Sequence, residues 1–303
     1  MVVRRRRDTL KTVDRDLMGN CEAGDGDHTR SLITFVIPVL AEPQRIARAL
    51  LLAEEGRPKA RSSEFIIVID GSEDLLPTAT TSRLHDNVRV ISTGSSRGPG
   101  AARNAGLSAC QTPFLAFIDD DDLPEFQRYA ALSASMEGSE ADVLVAGCTL
   151  TTVDGFGERF YGPSQGRSRG SLNEHLWKIA GVWRCIFRTR YLLDHNVTFP
   201  NLSFGEDLVF LLELDACGPR VQESDVVIYR HMLRGASTSG SIGSRGRDPI
   251  MVLESLRSAG YDGEPLRRKL VRLLWSLKIH GRLWIEGTWA QRAASARQLM
   301  PGA

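Results

Sequence analysis

The chain has 303 residues, 42% hydrophobic and 25% charged, with a formal net charge of +1. That length supports one large or two fused cores, and the near-neutral charge gives no reason to expect nucleic acid as a partner. No apolar run reaches the roughly 18 residues of a membrane-spanning helix, and the N-terminus lacks the apolar core of a secretory signal. Five scattered cysteines, Cys21, Cys110, Cys148, Cys185 and Cys217, form no Cys-x-x-Cys pair. Reduced thiols in a cytoplasmic protein are therefore expected, rather than a disulfide framework or a zinc site.

Residues 1–30 read as a disordered tail with a basic cluster at Arg4 to Arg7. From Leu32 to Val39 a near-continuous apolar run predicts a parallel strand buried on both faces, followed by a helix with Ile46, Ala49, Leu50 and Ala53 inward. Strands are expected over 64–69, 87–91 and 114–118, with a helix over 99–110 before the last. Strands alternating with helices predict a parallel sheet with right-handed crossovers. Beyond Pro124 the pattern predicts helices over 125–136, 172–180 and 205–216. Strands are expected over 142–147, 149–153, 158–161, 183–187 and 225–231. A Gly/Ser/Arg-rich loop over 232–248 and helices to about residue 300 complete the reading. We divide the chain into a catalytic domain over 31–240 and a C-terminal loop and helical extension over 241–303. The domain has a nucleotide-binding half, 31–122, and an acceptor half, 123–240.

The chemistry gathers after the strands. The apolar run from Phe114 to Ile118 empties into four carboxylates, Asp119 to Asp122. A carboxylate cluster beyond a rigid strand suits a hard divalent cation whose shell substrate phosphates complete, in the crevice where open α/β sheets bind ligands. Asp70 ends the second strand, where a carboxylate is able to accept hydrogen bonds from a base or ribose. The segment Arg97 to Gly106 opens a helix with glycines for close backbone approach and Arg103 as a fork for phosphate. It is not a dinucleotide fingerprint, because Arg103 stands where the third glycine would be required. A Gly-rich phosphate loop ending in Lys-Ser/Thr is also missing.

Taken in order, these stretches resemble the inverting family 2 glycosyltransferases, whose fold is the Rossmann-like A-type nucleotide-diphospho-sugar transferase α/β fold. In that fold a central, mostly parallel sheet is flanked by helices. The resemblance rests on Val36 to Val39 with Glu42, on Ile67 to Asp74, and on Gly98 to Gly106. Phe117 to Asp122, Phe204 to Phe210 and Tyr229 to Ser239 extend it, so that it spans about residues 32–240. It implies metal-dependent sugar transfer from a nucleoside diphosphate donor to a hydroxyl acceptor, with Mg2+ or Mn2+ as cofactor. It assigns Asp207 as the base with Glu206 second. Pro38, Val39, Glu42, Asp70, Gly100, Arg103, Asn104, Asp119 and Asp120 line the nucleotide sugar, and Asp119, Asp121, Asp122 and His231 hold the metal. Leu40 and Ile69 depart from the family's usual residues at the nucleobase. A nucleotidyltransferase is the rival enzyme class; it usually carries a Gly-rich loop after its first strand, and 38–44 contains no glycine. A catalytically inactive sugar-nucleotide-binding homologue is the rival outside enzymes. The basic tail and the amphipathic segment from Arg267 to Trp275 suit peripheral contact with the inner face of a membrane.

Overall fold

A computed structural model describes residues 32–57, 63–72, 85–152, 157–162, 179–202, 204–233 and 248–258, with scattered positions between 172 and 295. The expected N-terminal tail, most of the 172–180 helix and the 232–248 loop beyond Leu233 lie outside the described residues.

The strands are β1 (Ile33–Leu40), β2 (Ser63–Asp70), β3 (Val88–Ser92), β4 (Phe114–Phe117), β5 (Leu123–Pro124), β6 (Val143–Thr152), β7 (Glu158–Tyr161), β8 (Cys185–Arg188) and β9 (Val221–Leu233). The helices, in our numbering, are α1 (Pro43–Gly56), α2 (Pro99–Ala109), α3 (Phe126–Glu137), α4 (Thr189–Asp194), α5 (Glu206–Ala216) and α6 (Asp248–Ser258). They build a mixed α/β fold around one sheet ordered β3-β2-β1-β4-β8-β6-β9-β5, with β7 on β6.

β1, β2, β3 and β4 pair in parallel; the apolar runs of β1, β2 and β4 are buried on both faces, as the sequence predicts, whereas in β3 at the sheet edge only Val88 is buried. In the other half only β6 and β9 run parallel. β8 lies antiparallel to both β4 and β6, and β7 and β5 join antiparallel. The mostly parallel expectation thus describes the first half. The two strands expected on either side of residue 148 are one strand, β6, whose pairing with β9 shifts between Val145 and Cys148. A β-bulge of this kind interrupts the alternation by which a strand is read from sequence.

Side chains alternate across the sheet into two apolar layers. Ile33, Phe35, Ile37 and Val39 of β1 pack with Ile46, Ala49 and Ala53 of α1 and with Phe126, Tyr129 and Met136 of α3. Val36, Ile66, Val68 and Phe117 face the other layer, with Ala102 and Leu107 of α2, Phe210 of α5 and Val252 of α6. From β1 the chain runs outward to β2 and β3, then returns to place β4 on the other side of β1. That reversal makes the carboxyl ends of β1 and β4 a switch point, where such sheets bind ligands.

Candidate active site

Helix α2 carries the central side chain of the site and is seated by two glycines. A Cβ on Gly106 would stand 2.2 Å from Val36 Cγ1, and one on Gly100 would stand 2.6 Å from the Pro200 carbonyl oxygen. Asn104 then pins the helix to the 199–202 segment, donating from Nδ2 to the Phe199 carbonyl and accepting the Phe199 N–H, both at 2.8 Å. Gly100 and Asn104, expected to line the nucleotide sugar, thus serve the packing of α2 on its neighbours.

So placed, Arg103 is only 4% exposed, and three carboxylates from two elements converge on it. Its Nη2 donates to Asp119 Oδ1 at 2.9 Å, and its Nη1 donates to Glu206 Oε1 at 2.9 Å and lies 3.3 Å from Asp207 Oδ1. Its ring partner is Phe199, 5.4 Å from the guanidinium carbon. The sequence expectation was a fork for phosphate; both terminal nitrogens are instead committed to carboxylates. The three anions raise the affinity of Arg103 for its proton, although burial works against the charge.

Glu206 and Asp207 open α5 after Gly205, whose φ of 75° puts it in the left-handed region that glycine occupies without strain. Acids in a helix first turn meet the positive end of the macrodipole, but burial dominates at Asp207. Burial pushes its carboxyl up to about 7, with Glu206 and Asp119 acting in the same direction, while Arg103 and the Val182 N–H favour the ionised form. A carboxyl at that value is matched to accepting a proton near neutral pH. Although Glu206 and Asp207 are adjacent in sequence, both side chains reach the same guanidinium nitrogen.

The four aspartates that follow β4 divide into distinct roles. Asp119 and Asp121 keep partly exposed carboxylates, 27% and 31%. Asp120 is buried and faces α1, with Arg45 at 3.4 Å and Arg48 at 3.7 Å. Burial holds its carboxyl up at about 6 against the pull of Arg45. Asp122 is buried and accepts three hydrogen bonds from β9, from the Tyr229 hydroxyl at 2.8 Å, His231 Nδ1 at 2.8 Å and the Met232 N–H at 2.7 Å. Burial disfavours its charge, but three converging donors need the carboxylate, so we take Asp122 as ionised. His231 holds its proton more tightly than usual. Burial opposes the imidazolium, and the hydrogen bond and charge of Asp122, together with the charges of Asp119 and Asp121, outweigh it. Asp122 and His231, both expected on the metal, are each other's partners.

The carboxylates of the turn that could offer oxygens to a divalent cation are Asp119, which also accepts from Arg103, and Asp121, 3.9 Å from Arg45. Asp119 and Asp121 offer hard oxygen ligands at the strand end, and among the described residues no group of three or more His, Cys, Asp or Glu side chains could hold an ion. A cation here would take the rest of its shell from non-protein oxygens, such as those of a diphosphate.

At the other strand ends the expected contacts are largely turned inward. Asp70 is 3% exposed, and its oxygens accept from the Arg97 N–H at 2.7 Å, the Gly98 N–H at 3.0 Å and the Ser96 hydroxyl at 3.0 Å. It fastens the loop that leads into α2. Pro38 and Val39 are buried within β1, whereas Glu42 is exposed at the start of α1. Leu40 is 38% exposed and is paired in register with Asp70. Sequence reasoning missed Tyr229, Trp183, Arg45 and Arg48. A period of two through Tyr229 and His231 was the available signal for the first. The others are set by contacts between elements distant in sequence.

Residues 34–193 match Glycosyl transferase family 2, and the chain belongs to that family. It is 27% identical over 249 residues to the succinoglycan biosynthesis protein ExoO of Rhizobium meliloti (strain 1021), covering 76% of this chain and 70% of that protein. A second relative, the pre-mycofactocin glycosyltransferase of Mycobacterium tuberculosis, is 35% identical over 92 residues, covering 30% of this chain and 18% of that protein. Among solved structures, Staphylococcus aureus TarS residues 1–349 with UDP-GlcNAc superposes with a TM-score of 0.65 at 19% identity, covering 88% of this chain and 79% of that one. The mannosyltransferase PcManGT of Pyrobaculum calidifontis, in complex with GDP-Man and Mn2+, gives 0.55 at 15% identity, over 96% and 86%. The chain is a glycosyltransferase with the fold of these enzymes.

Proposed function

We propose that this glycosyltransferase works by inversion, moving a sugar from a nucleoside diphosphate to a hydroxyl acceptor with a divalent cation. The observation that carries this reading is the convergence of Asp119, Glu206 and Asp207 on the buried Arg103. It joins a carboxylate suited to the cation side of a donor to a carboxylate with a proton affinity suited to a base. TarS and PcManGT are described with nucleotide sugars, the second also with Mn2+, which fits the same reading.

In the reaction Asp207 accepts the proton of the acceptor hydroxyl as that oxygen bonds to the anomeric carbon. The bond from that carbon to the diphosphate oxygen breaks, and its electrons leave with the nucleoside diphosphate. One displacement from the opposite face inverts the anomeric centre. Arg103 keeps Asp207 ionised in a buried setting, and Asp119 and Asp121 would hold the cation. When bound, the cation neutralises charge developing on the leaving diphosphate.

The acceptor side is proposed to lie at the cytoplasmic face of a membrane. No helix among the described residues is long and apolar enough to cross one. Leu273 and Leu277, four residues apart, are each 53% exposed and Ile285 is 79% exposed, with Lys278 beside Trp275. Apolar and basic side chains together suit an anionic surface.

The test is a screen of nucleoside diphosphate sugars with Mn2+ or Mg2+ against glycan, lipid-linked and small hydroxyl acceptors. Turnover with retained configuration would reject inversion, and binding of donors without turnover would favour an inactive sugar-nucleotide-binding homologue.

A further inference from the structure

The short turn Val182–Arg184 meets both sides of the site. The Val182 N–H is close enough to the Asp207 carboxylate to favour its ionised form. One residue on, the Trp183 indole is 5% exposed and lies flat against two rings of β9. Tyr229 is 4.7 Å away at 15°, and His231 is 5.3 Å away at 7°. Two residues apart on a strand, those rings share a face, and their polar ends hold the acidic turn. The Tyr229 hydroxyl accepts the Asp119 N–H at 3.1 Å and donates to Asp122, which also takes His231 Nδ1. The Trp183 carbonyl is itself fixed by the Tyr129 hydroxyl from α3. Gly181 makes the room, since a Cβ there would stand 2.5 Å from Trp183 Cε2.

We propose that Trp183 is a positioning residue for the donor side of the reaction. Its indole is the floor that fixes the planes of Tyr229 and His231, and through them the Asp122 carboxylate and the Asp119 peptide. The inference rests on the donor reading of the Asp119–Asp122 turn. A planar side chain stacks on both rings at once; an aliphatic one loses that stacking, and the acidic turn those rings hold loses part of its orientation. Groups that orient the ligands of an ion contribute on the order of 10- to 100-fold to affinity or activity. That range sets the expected effect.

The experiment is calorimetric titration of the full chain with UDP and with GDP, each with Mn2+, for the wild type, Trp183→Leu, Trp183→Phe and Tyr129→Phe. Each titration is run below the melting temperature of its variant. Trp183→Leu is expected to bind the better nucleotide about 10- to 100-fold more weakly, and Trp183→Phe, which keeps a ring, to recover most of the loss. With a turnover assay, the donor KM of Trp183→Leu rises by a similar factor. Should Trp183→Leu not fold, Tyr129→Phe keeps the indole but releases its backbone, and it is expected to bind measurably more weakly than the wild type. Wild-type affinity in Trp183→Leu, or in Tyr129→Phe where that variant stands in, overturns the assignment even if the melting temperature has fallen. A wild type that binds neither nucleotide overturns the donor reading first and this inference with it.

Discussion

Burial and Arg103 pull the Asp207 carboxyl in opposite directions, and that opposition sets a pH dependence. Burial raises the Asp207 carboxyl to about 7, so a reaction that needs it as base loses rate as pH falls below that value and a proton occupies it. Asp207→Asn keeps the shape but accepts no proton, and kcat should fall on the order of 100- to 10,000-fold, with donor KM little changed. Replacing Arg103 by Met removes the cation that favours the ionised form. The acidic limb of the kcat/KM profile should then move to higher pH, and the variant should also be less stable, because buried carboxylates lose their partner. A limb that stays in place would take Asp207 out of the proton transfer. At His231 the sign is opposite. Its folded-state proton affinity is raised, mainly by Asp122 against the effect of burial. Its contribution to stability is full below the unfolded value of about 6.5 and fades as pH rises through the higher folded value. In His231→Gln, melting temperatures followed upward from about pH 6.5 should lose that part of their decline.

Helix α2 shows how an element places a side chain it could not place alone. Gly106 lets the helix approach β1, and Gly100 lets it approach the 199–202 segment, where Asn104 closes two hydrogen bonds. In Gly106→Ala the new methyl meets Val36, and overpacking of this kind costs about 1–3 kcal/mol. Denaturant unfolding measures that loss. Activity should fall more than stability does, since the helix that moves carries Arg103. A fully active Gly106→Ala enzyme would mean that the position of α2 tolerates change. The second element, β9, escaped the sequence in part. The predicted strand began at residue 225 while the structure starts it at Val221, because its first residues are only partly buried and lack alternation. The charged Asp119 to Asp122 run was legible as a carboxylate cluster at a strand end. The assignment of Asp122 and His231 to each other was not, because a pair 109 residues apart is set by the register of β5 and β9.

For the whole molecule, ligand binding should appear as stability. A nucleoside diphosphate with Mn2+ at about 100 times its Kd raises unfolding free energy by about 2.7 kcal/mol. Differential scanning fluorimetry with and without EDTA should show that the shift needs the cation, and Asp121→Asn should abolish it while leaving the unliganded melting temperature near that of the wild type. A shift unaffected by EDTA would argue against a cation at Asp119 and Asp121. Sedimentation with anionic vesicles tests the proposed surface contact, which should weaken as salt screens the basic residues. Leu277→Glu should reduce it further by placing an acid on the exposed apolar side.

The amino-acid sequence by itself determined the strands of the parallel half, because runs such as those of β1 and β2 are apolar on both faces and fit nothing but the middle of a sheet. It also placed chemically able side chains, four consecutive carboxylates and a Gly-rich segment with Arg103, at the ends of such strands. Tertiary structure alone decided which of those groups are engaged within the frame and which stay partly exposed. Asp70, Asn104 and Asp122 are chemically able to bind substrate or metal, yet each is filled by donors and acceptors from elsewhere in the fold. Arg103, chemically suited to phosphate, is claimed by carboxylates 16 to 104 residues away. A side chain's functional groups are written in its type, but whether they are free depends on partners that only long-range packing brings within hydrogen-bonding distance.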